Sequence, residues 1–270
     1  MSRNPSSVRQ AAARRNPGSS GPRERLLDAT YRVEQAHFWW HGLRSFVRPL
    51  VRKATAGLTR ARILDCGCGT GSNLAMLDPF GETYGFDLTW RGLLFAHEHG
   101  RRRIAQGSID AIPFKTGSFD LVTSFDVFQT LPDAIERSAV VEMARVVKPG
   151  GAAVFNFAAL ELLRGGHSVL AEEVRRYTPA EVRALMSAAE LRVEYLTFAF
   201  ASLFPLMLAA RVGHRLRRGG EATVGEWEIE VPAAPVNALL TGAVWAEAQA
   251  LRAIRMPVGS SIICLARKPK

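Results

Sequence analysis

Hydrophobic and polar positions between residues 61 and 157 alternate between two periods. Short apolar runs typical of buried strands occur at ARILDCG, ETYGFDL, FDLVTSFD and GAAVFNFA. Between them lie segments with helical periodicity: GSNLAMLDPFG, RGLLFAHEHG and residues 133–147, the last of which ends in a Pro/Gly stop. Strands that alternate with helices predict a parallel sheet covered by helices.

Upstream of this core, the segment HFWWHGLRSFVRPL predicts a helix with one apolar face. Its large apolar residues recur every three to four positions, at Trp39 or Trp40, Leu43, Phe46 or Val47, and Leu50. Gly42 and Pro49 are expected to bend this helix or divide it. His37 and His41 lie four residues apart and are expected to share a face.

A longer addition precedes the last strand. The pattern predicts a strand at about 191–200, a helix at about 203–218 with an apolar start and a basic end, and a half-buried strand at GEWEIEV. Pro235 opens a further helix with apolar positions at Leu239, Leu240, Ala243, Val244 and Leu251. Glu247 shares that face, so we expect it to pair with an arginine or to serve as a base.

The net charge of +10 is concentrated near the N-terminus. Residues 1–60 hold 12 lysines and arginines against 3 acidic residues, whereas the other 210 residues hold 23 against 22. Residues 1–23 are rich in Arg, Ser, Pro and Gly, which predicts disorder. Such a basic tail is solvated, or it contacts anionic lipid or nucleic acid.

The three cysteines predict neither disulfides nor a metal site. Cys66 and Cys68 have no second ligand pair at zinc spacing, so they are interpreted as small residues in a tight loop. No apolar signal region follows Arg14-Arg15, which favours a cytoplasmic protein. The apolar run at 195–210 has 16 residues, fewer than the roughly 20 that a bilayer span needs.

The clearest chemical signal follows the first strand. In Gly67-Cys68-Gly69-Thr70-Gly71, glycines let the backbone turn sharply and approach a ligand closely. Asp87 closes the second strand, where a carboxylate can accept hydrogen bonds from ribose hydroxyls. The loop has GxGxG spacing and no lysine or arginine, so it does not indicate the phosphate site of a dehydrogenase or kinase.

Four motifs in order resemble those of class I S-adenosylmethionine (SAM) methyltransferases, of the type 11 kind. They are ILDCGCGTGSN, YGFDLT, GSIDAIPFKTGSFDLVTSFDV and RVVKPGG, and the resemblance covers roughly residues 61–200. It implies an α/β fold with a Rossmann-like seven-stranded sheet whose last strand, here SSIICLARK, is antiparallel. It also implies an N-terminal helical lid, and the long addition becomes a helical insertion before the last strand.

The resemblance further implies a SAM site, residue by residue. Asp65 and the glycine loop should hold the methionine part, Asp87 the ribose, and Leu88 and the 108–109 pair the adenine, while the end of the fourth strand closes the site. The implied cofactor-binding residues are Asp65, Gly67, Cys68, Gly69, Gly71, Asn73, Asp87, Leu88, Ser108, Ile109, Phe125 and Asp126. The family often has aspartate where this chain has Ser108, so Asp110 is an alternative contact.

These expectations divide the chain into five segments. They are a disordered basic tail (1–25), a helical lid (26–58), a SAM-binding core (59–201), a helical insertion that caps the acceptor (202–257) and the final strand of the core (258–270). Acceptor specificity should reside in the parts outside the shared sheet. In the lid hypothesis, the aromatic block closes over SAM with a Trp as pocket wall and His37 or His41 near the nucleophile. The alternative is ordinary helix packing.

A second resemblance concerns HSVLAEEVRRYTPAEV. It is similar to a bacterial subgroup linked to surface-glycan or polyprenol metabolism, with a pattern like HDxxxxHxRRY. His167 and Arg175-Arg176-Tyr177 match, whereas Ser168 and Glu173 replace the aspartate and second histidine. The candidate catalytic residues are therefore His41, His167 and Tyr177. In the alternative interpretation, the arginines form salt bridges to the helix and Tyr177 packs.

Together these patterns predict a SAM-dependent methyltransferase that acts on a small-molecule or lipid-linked acceptor, mainly by aligning the nucleophile with the methyl group. Weak contact of residues 203–218 with anionic membranes is also expected, since an apolar start joined to a basic end suits an interface. Two alternatives are an RNA methyltransferase that uses the basic N-terminus, and a catalytically silent SAM-fold subunit that binds a partner.

Overall fold

The computed structural model describes residues 21–165, 168, 171–218 and 230–270. The helices are α1 (Pro22–Val33), α2 (Phe38–Ala54), α3 (Ser72–Leu77), α4 (Trp90–Glu98), α5 (Asp133–Val146), α6 (Pro179–Ala188), α7 (Phe204–Arg218) and α8 (Ala234–Ala250). The strands are β1 (Ala61–Cys66), β2 (Gly81–Asp87), β3 (Ile104–Gln106), β4 (Phe119–Phe125), β5 (Val147–Ala158), β6 (Arg192–Ala199) and β7 (Ser261–Arg267). Three predicted features lie outside the described residues: the tail apart from its last five residues, the strand at GEWEIEV apart from its last two residues, and His167.

The strands form one mixed sheet in the order β3-β2-β1-β4-β5-β7-β6. The first five are parallel, and β7 runs antiparallel to both β5 and β6. The expected Rossmann-like sheet with an antiparallel last strand is therefore confirmed. The chain order reverses between β1 and β4. In folds of this kind, ligands bind in a crevice outside the carboxyl ends of the strands at this point.

Two apolar layers cover the sheet. On one face, α2 and α8 pack on the middle strands through residues such as Val47, Val51 and Val244. On the other face, α5 and α6 pack through Val140, Met143 and Val182. Burial on both faces explains why the central strands are almost continuously apolar.

Helix α2 is unbroken from Phe38 to Ala54, so the predicted break at Gly42 or Pro49 is wrong. The buried apolar face of α2 holds it together across the hydrogen bond that Pro49 cannot donate. His37 lies outside the helix as its N-cap, where Nδ1 accepts a hydrogen bond from the Trp39 amide at 3.1 Å. The expectation that His37 and His41 share a helical face is therefore also wrong.

The insertion contains the two expected helices, with a different role for Glu247. Its buried carboxylate accepts hydrogen bonds from the Ala201 and Ser202 amides at 2.9 and 2.8 Å and from the Ser202 hydroxyl. It thereby supports the turn before α7 and pairs with no arginine among the described residues. Leu239 is 73% exposed, so its assignment to the inward face is wrong. No described helix combines the length and apolar character that a bilayer crossing needs.

Candidate functional site

The glycine loop between β1 and α3 adopts backbone angles that favour glycine. Gly67, Gly69 and Gly71 have φ values of 80°, 50° and 73°. At Gly67 space is also limiting, because a Cβ would lie 2.5 Å from Cγ2 of Val127 at the end of β4. The side chain of Cys68 packs inward, so that a Cβ on Gly85 would lie 2.8 Å from its sulfur. The loop therefore presents backbone groups to the crevice.

Asp87 ties this loop to the end of β2. Its Oδ2 accepts a hydrogen bond from the Gly69 amide at 2.8 Å, and its Oδ1 accepts from the amide and hydroxyl of Thr89 at 2.8 and 2.6 Å. A carboxylate offers about four acceptor directions, and three are engaged here. Asp87 can therefore orient the loop and still accept one bond from a ligand hydroxyl.

Asp65, near the end of β1, has an unsatisfied oxygen. The side chain is 1% exposed, and Oδ1 accepts a hydrogen bond from the Thr123 hydroxyl at 2.7 Å. Oδ2 is buried and has no partner among the described residues. Burial raises the pKa of Asp65 to about 7. A cation donating to Oδ2 would satisfy this oxygen and lower that pKa.

A methyltransferase-domain family matches residues 64–155, which include the glycine loop, Asp65, Asp87 and Asp126. The order of the strands, the geometry of the glycine loop and the family match all indicate the same class of domain. The domain belongs to the class I SAM-dependent methyltransferases. The finer assignment to a surface-glycan or polyprenol subgroup has no support in these comparisons.

Curated relatives of the methyltransferase domain act in quinone pathways. The chain is 33% identical over 140 residues to a ubiquinone biosynthesis O-methyltransferase of Paracidovorax citrulli, covering 46% of this chain and 58% of the relative. It is 35% identical over 117 residues to a demethylmenaquinone methyltransferase of Lactococcus lactis, covering 40% and 46%. The chain thus spans only about half the length of these relatives.

Among solved structures, the fold is similar to that of a phosphoethanolamine N-methyltransferase of Haemonchus contortus in complex with SAM. The TM-score is 0.56 at 16% identity, over 95% of this chain and 62% of the other. At this identity the likeness concerns the fold alone.

SAM, the cofactor of this domain, fits the charges and space at the strand ends. SAM carries an ammonium, a ribose and an adenine but no phosphate, and the loop contains no cationic side chain. The orphaned Oδ2 of Asp65 is an acceptor for the ammonium, and Asp87 is an acceptor for the ribose. A Cβ at Gly69 would approach only Leu27, at 3.6 Å, so the backbone there is open to a ligand.

The predicted adenine contacts follow the ends of β2 and β3. Leu88 is 56% exposed after β2, and Ile109 is buried after β3. The hydroxyl of Ser108 donates to the carboxylate of Asp110. Ser108 and Asp110 are therefore hydrogen-bonded to each other, and Asp110 stays an alternative contact for the adenine.

The N-terminal helices lie on the glycine loop. The carboxylate of Glu34, which is 3% exposed, accepts a hydrogen bond from the Thr70 hydroxyl at 2.7 Å, and burial raises its pKa. Gln35 and Arg44 both donate to the Ser72 hydroxyl. The connection between α1 and α2 thus covers the turn into α3, whereas the Trp39 ring stacks on Phe200 at 3.9 Å.

A second polar group lies at the ends of β4 and β5. Asp126 has a φ of 57°, which non-glycine residues rarely adopt. Its Oδ1 accepts hydrogen bonds from the side-chain amides of Asn156 at 2.7 Å and Gln129 at 3.4 Å. Both amides are buried, and each leaves its oxygen without a partner among the described residues. Burial raises the pKa of Asp126 to about 6.

An ion pair between Glu173 and Arg176 acts electrostatically on this polar group. The two side chains are 4% and 8% exposed and meet at 3.0 Å, and Arg176 also donates to the Ala159 carbonyl and the Ser168 hydroxyl. Both charges act on Asp126, Glu173 raising and Arg176 lowering its pKa. Within the Arg175-Arg176-Tyr177 motif, Arg176 is therefore the residue whose charge acts on Asp126.

Of the three candidate catalytic residues, the structure describes His41 and Tyr177, and they lie in different surroundings. The Tyr177 hydroxyl is buried between the carboxylate of Glu136 and the Phe128 carbonyl, and burial raises its pKa far above the usual range. His41 is exposed, with Nε2 2.9 Å from the carbonyl of Gln35. His167 lies outside the described residues. Arg175 pairs with Glu136 and Asp133 on α5.

Three polar residues at the site are absent from the sequence-based prediction. Asn156 is the one polar residue in the apolar run AAVFNFA of β5, a signal that was available. Gln129 and Glu34 lie in segments without a strong pattern. The contact of Glu34 with Thr70 joins residues 36 positions apart, which periodicity cannot detect, whereas Gln129 contacts Asp126 only three positions away in a segment with no regular pattern.

Proposed function

We propose that this chain transfers a methyl group from SAM to a small-molecule acceptor, free or lipid-linked. The observation that carries the proposal is the orphaned Oδ2 of Asp65 beside a glycine loop that is tied to Asp87. When bound, SAM supplies a methyl group activated by a positively charged sulfur. The quinone-pathway relatives support an acceptor of small-molecule type.

The residues of the chain would bind, orient and enclose the reactants. Asp65 and the loop would hold the amino-acid part of SAM, and Asp87 the ribose. The 34–37 connection would shield the loop from water, since Glu34 and Gln35 already bond to Thr70 and Ser72. Alignment of reacting groups of this kind can lower a barrier by roughly 7–11 kcal/mol.

Asp87→Ala is expected to weaken SAM binding by about 1.5–3 kcal/mol, since a charge-assisted hydrogen bond is lost and the Gly69 amide loses its partner. Isothermal titration calorimetry measures the change. Thr89→Ala is the matched control, because it removes one neighbour of the carboxylate and keeps the acceptor. Unchanged SAM affinity in Asp87→Ala would refute this site.

The two alternative functions are less well supported. A silent subunit has no need of a buried, unsatisfied carboxylate next to an open glycine loop. For an RNA methyltransferase, most of the relevant charge lies in residues 1–60, and residues 1–20 lie outside the described residues. Methyl transfer from labelled SAM into a cell extract, fractionated into RNA, lipid and small molecules, tests all three.

The insertion supports membrane contact as part of this function. The outer side of α8 carries no charged residue, and Val236, Leu239 and Trp245 are 48%, 73% and 59% exposed. Helix α7 exposes Leu206 and ends in the basic stretch RVGHRLRR. An apolar surface beside a basic one suits the interface of an anionic membrane.

The protein is therefore expected to float with phosphatidylserine vesicles at low salt and to be released at high salt, because screening weakens its attraction to the lipid charges. A Leu239→Ser/Trp245→Ser variant should float less and keep its stability, since both side chains are exposed. Flotation centrifugation measures both. Absence of the wild-type protein from the vesicle fraction at low salt would exclude membrane contact.

A further inference from the structure

The polar group of Asp126, Gln129 and Asn156 lies beside the expected methyl donor. Val127 contacts Gly67 of the glycine loop so closely that a Cβ at Gly67 would lie 2.5 Å from it. Asp126 directly precedes Val127, and its amide donates to the Asn156 carbonyl at 3.2 Å. Asp126 therefore lies in the segment after β4 that contacts the glycine loop, next to the end of β5.

This group contains more acceptors than the described residues satisfy. Both side-chain amides donate to Oδ1 of Asp126, so Oδ2 has no hydrogen bond to a described residue. The oxygens of Gln129 and Asn156 are unpartnered, although these side chains are only 4% and 1% exposed. Buried acceptors without donors are costly, which points to a ligand that brings its own hydrogen-bond donors.

We propose that Asp126 is the proton acceptor for a phenol-type hydroxyl on the methyl acceptor, held in place by Asn156 and Gln129. This inference rests on the proposed function. The acceptor oxygen forms the new C–O bond as the C–S bond of SAM breaks, and the electron pair of that bond stays on sulfur. The hydroxyl proton passes to Oδ2 of Asp126, which later returns it to water.

The chemistry favours a phenol over other nucleophiles. Amines and thiolates carry a lone pair that attacks without a base, whereas a hydroxyl needs one. A phenol has a pKa of about 10, much closer to that of a carboxylate than an aliphatic alcohol. Burial and Glu173 raise the pKa of Asp126 to about 6, against the opposing effects of Gln129, Asn156 and Arg176, so the carboxylate is ionised at neutral pH yet more basic than usual.

The test compares two probes, catechol and thiophenol, with full-length protein and labelled SAM. Thiophenol is largely ionised near neutral pH and needs no base. Asp126→Asn should reduce kcat/KM for catechol by about 10²–10⁴-fold and reduce that for thiophenol far less, once any change in SAM affinity measured by calorimetry is taken into account. Asp120→Asn, at the opposite end of β4, is the matched control and should affect neither.

Two further readouts separate proton transfer from a structural role. In wild type, kcat/KM for catechol should rise with pH through about 6, since only the ionised carboxylate accepts a proton. Asn156→Leu should move this rise to higher pH, because the lost hydrogen bond stabilises the charged form. Carboxyl ¹³C NMR of the protein without acceptor, with the Asp126 signal assigned by its absence in Asp126→Asn, should show the same pKa.

Three results would overturn the inference: equal loss for both probes in Asp126→Asn, no loss for catechol, or a wild-type protein that binds SAM and methylates no catechol. The last result would leave the proposed methyltransferase standing. Failure of the wild-type protein to bind SAM in calorimetry would instead refute the proposed function itself.

Discussion

Arg176→Met is expected to lower the free energy of unfolding by about 3–5 kcal/mol, because it leaves the carboxylate of Glu173 buried without its counter-charge. The side chains of Arg176 and Glu173 are 8% and 4% exposed, and Nε of Arg176 lies 3.0 Å from Oε2 of Glu173. Urea unfolding followed by circular dichroism measures the change.

The matched control is Arg60→Met. Arg60 pairs with Glu82 at 3.4 Å, but its side chain is 74% exposed, and Arg103 also neutralises Glu82. This substitution should cost less than about 1 kcal/mol. The double variant Glu173→Met/Arg176→Met should recover part of the loss, since it removes both charges. Equal effects of Arg176→Met and Arg60→Met would show that burial does not govern the strength of this pair.

Gly67→Ala is expected to abolish measurable SAM binding and to destabilise the protein by about 2–5 kcal/mol. A left-handed backbone angle costs a non-glycine residue about 1–2 kcal/mol, and overpacking adds about 1–3 kcal/mol. The angle is 80°, and the added Cβ would meet Val127 at 2.5 Å. Relief of this clash requires the loop or the end of β4 to move, and both line the cofactor site.

Gly57 offers a control with the same backbone angle. Its φ is 81°, and nothing lies within 4 Å of an added Cβ. Gly57→Ala should therefore show the conformational cost alone, with normal SAM affinity in calorimetry. Adding Val127→Ala to Gly67→Ala should restore part of the stability. If Gly57→Ala and Gly67→Ala behave alike, the close contact with Val127 is not what limits position 67.

Local patterns predicted the sheet because the sequence pattern of each strand and helix is contained in a short stretch of residues. Strands β1, β4 and β5 each contain buried apolar residues on both sides, since helices cover both faces of the sheet. The helix start at Thr178 is equally local, and the structure shows the full capping box with Glu181. The glycine spacing and Asp87 predicted which end of the sheet binds the cofactor, because tight turns restrict residue type strongly.

Predictions failed where a distant residue decided the outcome. Gly42 and Pro49 were expected to bend or divide α2, but the helix is undivided because packing against the sheet and α8 holds it together. Glu247 was assigned an arginine partner or a base role, yet backbone amides 45 and 46 residues away satisfy it. A helical pattern shows which side of a helix is buried, but it does not show which polar groups a buried side chain will contact.

The sequence by itself determined the class of fold, the order of its elements and the position of the glycine loop, because period and glycine spacing act over a few residues. The tertiary structure alone decided which buried charges are paired and which acceptors stay unsatisfied. Asp126 and Gln129 follow β4, Asn156 lies in β5 and Arg176 comes later in the chain, and the contact between Asp126 and Asn156 exists only because β4 and β5 are neighbours. Burial then raises the pKa of Asp126, a long-range effect that no local pattern encodes.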